Sequence, residues 1–177
     1  MRHFLTLLAI FEMMASSPAF AAWSIFKDPG QNFTFEAPTK VTVTNSQSVS
    51  HSGMVIPSIT YTSDEGLIAM GVIDGEMVAD PAISMVFTPQ QIMDQDVAGI
   101  PQAYGGKVSS VQTELLDGQV GRRVEMEGPD NTVYTFRIFV LKDHLYTAFS
   151  GYRPGASDKL KADAVRFHKS FHLSSAP

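Results

Sequence analysis

Residues 133–141 constrain this chain more than any other segment. Tyr134, Phe136, Ile138 and Val140 alternate along it to give one wholly apolar face, while Val133, Phe139 and Leu141 lie on the other. Side chains of a strand point to opposite sides in turn, so a strand that is apolar on both must be covered on both. The sequence therefore calls for a layer above and a layer below this segment, which belongs in the interior of a sheet.

Its neighbours carry strand patterns of their own. Val108 to Leu116, Gln119 to Glu127 and Leu145 to Tyr152 are set off by the turns Asp117-Gly118, Pro129-Asp130-Asn131 and Lys142-Asp143. Short turns of this composition join antiparallel neighbours. In the first half, Phe33 to Glu36 alternates and stops before Pro38. Lys40 to Ser50, rich in Val and Thr, fits an edge strand or hairpin arm, and Val55 to Thr62 pairs with Leu67 to Ile73 around Gly66. Asp74 to Phe87 has no clear period and is expected to be a connection with a brief strand near Met85.

Two amphipathic segments supply the covering layers. Thr88 and Pro89 open the first, since a threonine hydroxyl can accept from a free N–H and proline gives up a donor that has no partner there. Ile92, Met93, Val97 and Ile100 form its apolar side; Gly105-Gly106 ends the region, with Pro101 a candidate for an earlier stop. Ser157 caps the second, in which Leu160, Ala164, Phe167, His168 and Phe171 share a face. The expected fold is α+β: a twisted antiparallel sheet flanked by helices, an α/β/α sandwich.

Of 177 residues, 44% are hydrophobic and 18% charged, with no cysteine. Disulfides, thiolate metal sites and thiol nucleophiles are thereby excluded, and the fold must stand on packing. Residues 1–21 read as a signal peptide: Arg2 and His3, the apolar run Phe4 to Phe11, then Ala19-Phe20-Ala21 as a small-residue cleavage site. Glu12, at the end of the run, departs from the pattern. The expectation is a single domain over residues 22–177, periplasmic or secreted from a bacterium and soluble once the leader is removed.

Thirteen Lys+Arg against eighteen Asp+Glu give a net charge of −5. The densest basic stretch, Lys159 to Lys169, is interrupted by Asp163, so nucleic acid is not an expected partner. Gly-x-Ser-x-Gly, phosphate-loop, Gly-x-Gly-x-x-Gly and His-Glu-x-x-His patterns are all missing, and no catalytic, cofactor or metal site is expected from motif. His168 and His172, four apart, would share a side of a continuous helix, but two ligands make a weak metal site. Asp74, Glu76 and Asp80 lack the ligand density of a calcium loop. Arg122, Arg123 and Arg137 sit on adjacent strands, where they either pair with Glu125 or Glu127 or face an anion or partner. Tyr104, Tyr146, Tyr152 and Trp23 either pack or line a groove. The candidate binding surface is Arg122, Arg123, Arg137, Tyr146 and Tyr152.

The second half resembles the PsbP-like group of small α/β/α sandwich domains. The resemblance is carried by Gly118-Gln119-Val120-Gly121-Arg122-Arg123, by the hairpin from Tyr134 through Lys142-Asp143-His144 to Tyr146, and by Phe167-His168-Lys169-Ser170-Phe171-His172-Leu173; the early Phe33-Thr34-Phe35-Glu36-Ala37-Pro38 strand is similar too. These are packing residues, so the resemblance implies a fold more than a chemistry. Plant members assist the oxygen-evolving complex, and many bacterial relatives are exported. No metal site is carried across. The implied role is a non-enzymatic accessory or binding protein acting on a protein partner, such as a membrane-associated complex; the alternatives are a carrier of small apolar ligands and a hydrolase with a scattered site.

Overall fold

The computed structural model describes residues 23–38, 40–49, 55–64, 66–77 and 87–174. The leader, Asp80 and the strand expected near Met85 lie outside them.

Seven antiparallel strands form the main sheet: β3 (Thr42–Val49), β4 (Val55–Asp64), β5 (Ile68–Glu76), β6 (Lys107–Leu116), β7 (Gln119–Glu127), β8 (Val133–Leu141) and β9 (His144–Tyr152). Their order across the sheet is β3-β4-β5-β9-β8-β7-β6. The doubly apolar strand β8 thus lies between β9 and β7, and Phe136, Ile138 and Phe139 are fully buried. The turn Asp117-Gly118 has φ of 49° and 82°. Positive φ at both central residues is the tight hairpin geometry that matches strand twist, and it places β6 against β7.

β8 divides two cores. Its even residues face the helix α1 (Pro89–Tyr104), where Met93, Ile100, Val124, Met126, Phe136 and Ile138 cluster. Thr88 caps α1 reciprocally: its hydroxyl accepts from the Gln91 N–H at 3.3 Å, and Gln91 Oε1 accepts from the Thr88 N–H at 2.8 Å. Pro101 does not end the helix. The chain continues to Tyr104 and stops at Gly105, which adopts the left-handed conformation at φ 66°.

The opposite face is covered by the helix α2 (Asp158–Ser170) and by a second sheet that the sequence pattern did not announce. In that sheet β2 (Phe33–Ala37) is flanked by β1 (Ser24–Lys27) and by the two-residue β10 (His172–Leu173). Phe33, Phe35, Phe167, Phe171 and Leu173 meet Ile68, Met70, Val72, Phe139, Tyr146 and Ala148 of the main sheet. Burying each large side chain here contributes about 2 kcal/mol. A further correction concerns Asp74 to Glu76, expected in a connection: they continue β5 and pair with β9.

Candidate functional site

Seven strands at ~4.8 Å span about 29 Å, whereas a helix is ~10 Å across. α2 and the small sheet cannot cover the whole of their face. α2 packs against β2, β5 and β9, and beside it, over β6 to β9, the sheet floor stays open. The result is a recess of about 400 Å³ bounded by Leu116, Arg123, Glu125, Thr135, Arg137, Ser150 and Tyr152 from the sheet and by Lys161, Val165, His168 and Lys169 from α2.

Strand register sets the floor. Arg123 of β7 and Arg137 of β8 are direct cross-strand partners. Like charges at such positions repel, and carboxylates offset the repulsion. Arg123 donates from Nε and Nη2 to Glu125 Oε1 at 2.9 and 2.7 Å, and Thr135 donates to the other oxygen of Glu125 at 2.9 Å. Arg137, itself buried, donates from Nε to Glu114 at 2.9 Å and from Nη1 to the backbone carbonyl of His168. The second contact ties α2 to the sheet floor.

His168 projects from α2 into this wall and is 7% exposed. Its Nε2 lies 2.9 Å from Ser150 Oγ, while its Nδ1, also buried, has no hydrogen-bond partner among the described residues. Burial, and then the positive charges of Arg137 and Arg123, push the imidazole down to about 3. The ring is therefore neutral at physiological pH. A general base works best with a pKa near the operating pH, so His168 is a poor base toward Ser150.

The structure separates the residues singled out from sequence. Arg123, Arg137 and Tyr152 converge on the recess. Arg122 points to the other face, where its Nε donates to Asp94 of α1 at 2.9 Å and Nη1 to Thr113. Tyr146 is buried in the core beside Phe33, with ring centroids 5.6 Å apart. The aromatic residues form no common groove: Tyr104 packs on Phe136 beneath α1, and Trp23 lies under the Arg166 guanidinium at 4.3 Å. Of the two alternatives for the arginines, pairing with Glu125 holds for Arg123, whereas Arg122 and Arg137 find Asp94 and Glu114.

The other candidate groups disperse as well. His172 is exposed on β10 and lies 3.3 Å from Asp117, so it shares no partner with His168. Asp74 is 2.6 Å from His144 Nδ1; burial pushes its carboxyl up, and the histidine contact opposes this. Glu76 is exposed. Among the described residues no group of three or more His, Cys, Asp or Glu is placed to hold a metal ion. The residues missed from sequence are Glu114, Ser150, His168 as a recess wall, and Lys161 and Lys169 at the rim. Only the alternation of β6 and β9 hinted that Glu114 and Ser150 share a face with Arg137.

With helices on both faces of the main sheet, this is a PsbP-like α/β/α sandwich. In particular, the chain is similar to the solution structure of cyanobacterial PsbP (CyanoP) from Synechocystis sp. PCC 6803, with a TM-score of 0.58 and 16% sequence identity over 87% of this chain and 94% of that one. At that identity the likeness establishes the fold. No family model and no curated protein matches the sequence.

Proposed function

We propose that this protein is an exported, non-enzymatic accessory or binding protein that acts on a protein partner, such as a membrane-associated complex. One observation carries the reading: the polar groups of the recess are fixed for recognition. Arg123 and Arg137 are held rigidly by Glu125, Thr135, Glu114 and the His168 carbonyl, while the adjoining Ser150–His168 pair lacks base strength. Held cations bind; they do not by themselves break bonds. The PsbP-like fold and the leader pattern of residues 1–21 support the same reading. Among the described residues no helix is long and apolar enough to cross a membrane.

Mild crosslinking of the endogenous protein in intact cells, followed by purification and crosslink mapping, tests this. The expected result is one reproducible partner, with crosslinks from Lys161 or Lys169 at the recess rim. Recovery of monomer alone across growth conditions would overturn it. Cell fractionation and N-terminal sequencing check the export half, with Ala22 as the expected first residue.

A further inference from the structure

The protein carries a net charge of −5, yet four of its thirteen Lys and Arg residues line one recess in which Glu125 is the only carboxylate. Glu114 and Asp158 approach from outside, on Arg137 and Lys161 respectively; Lys169 has no ion-pair partner among the described residues. A guanidinium has five N–H donors. The bonds above occupy two of those on Arg123, and two on Arg137, so each side chain keeps donors to spare. The two residues stand directly opposite, about 5 Å apart at their Cα atoms in an antiparallel ladder. Two adjacent guanidinium groups with spare donors match the two oxygens of a carboxylate.

The walls select what that carboxylate is attached to. Leu116, Ala164, Val165 and the ring of Tyr152 supply apolar surface, and Val165 is 53% exposed. At about 400 Å³ the space lies within the range of small-ligand pockets.

We infer that the recess beside α2 binds a carboxylate carried on an apolar body, with Arg123 and Arg137 holding the oxygens and Leu116, Val165 and Tyr152 receiving the carbon skeleton. Two sources share this chemistry: a free small carboxylic acid, and the terminal carboxylate of a peptide chain ending in an apolar residue. The inference rests on the same recess as the partner reading and deepens it by naming the chemistry held there. The two fail separately, because titration with a small acid reads the recess alone and crosslinking reads the partner.

Calorimetric titration of the full mature chain with N-acetyl-leucine and with N-acetyl-leucinamide separates charge from apolar body. The acid is expected to bind at about 1 mM or tighter, and the amide at least about tenfold more weakly. Arg123→Gln, at a side chain 42% exposed and therefore replaceable without opening the core, should weaken the acid about tenfold. Its unchanged melting temperature would show that the fold is kept. Lys169→Glu, at an exposed rim position, should weaken binding in the same direction. A leucine-terminated pentapeptide and octanoate then identify the source: tighter binding of the peptide assigns a chain terminus, and tighter binding of octanoate a free acid. Equal binding of acid and amide, no heat from the acid at ~10 mM, or unchanged binding by Arg123→Gln would overturn the inference.

Discussion

Replacing His168 by Gln gives a direct reading of how the recess wall is built. In the folded chain the imidazole titrates at about 3, against an ordinary value of 6.5. Its folded value is depressed, so the stability it contributes is fully present above 6.5 and is lost as pH falls toward 3. The unfolded chain binds a proton in that window and the native chain does not. Between pH 7 and pH 5 the linkage integral amounts to about 2 kcal/mol. The raw pH dependence of the wild type will understate this, because Asp96 pulls the other way. Burial holds that carboxyl at about 6, which returns about 1 kcal/mol of stability over the same interval. The difference between wild type and His168→Gln removes the Asp96 contribution, and glutamine can keep the bond to Ser150. Urea unfolding of both proteins at pH 7 and pH 5 should show the wild type losing about 2 kcal/mol more than the variant. Equal losses, within about 0.5 kcal/mol, would refute the claim that His168 is held neutral by burial and by Arg137 and Arg123.

Asp96→Asn should stabilise the protein at pH 8 by at most about 3 kcal/mol, because a carboxyl held near 6 costs free energy once ionised; the gain should vanish below pH 4, as equilibrium unfolding at the two pH values will show. A Cβ on Gly121 would lie 2.3 Å from the Phe139 ring and 2.6 Å from the Ile138 carbonyl oxygen, so Gly121→Ala should cost about 1–3 kcal/mol in the same assay. Phe33→Ala, at the centre of the cluster beneath the small sheet, should cost about 3–5 kcal/mol and lower the melting temperature accordingly. Leu115→Glu, at a side chain 70% exposed on the edge strand β6, should stay within about 0.5 kcal/mol of wild type.

Much of the main sheet was legible because its strands are bounded by local signals. Asp117-Gly118 and Lys142-Asp143 mark reversals, and the two-sided apolarity of residues 133–141 demands cover on both faces. Ser157 and Thr88 announced their helices through capping chemistry that acts within three residues. The small sheet was not legible, since β1 and β10 are four and two residues long and their pairing with β2 is a long-range event that leaves little local trace. The candidate site divides along the same line. Adjacent strands brought Arg122, Arg123 and Arg137 together on paper, without separating the first from the other two. Which face each arginine took, and that α2 would leave a gap over β6 to β9, depended on register and on the position of a helix, neither of which the local pattern contains. Pro101 misled for the opposite reason: it is a strong local breaker, but α1 tolerates it one turn from its end, where the Gly105 and Gly106 N–H groups both reach the Pro101 carbonyl.

Phe33 and Phe35, near one end of the described chain, owe part of their cover to Phe167, Phe171 and Leu173, near the other. Before α2 and β10 dock, the Phe35 ring lacks its edge contact with Phe167 and the Phe33 ring its contact with Phe171, while Tyr61 and Tyr146 already reach Phe33 from the main sheet. The last wall of this core therefore closes between residues far apart in sequence, and topology this non-local closes slowly.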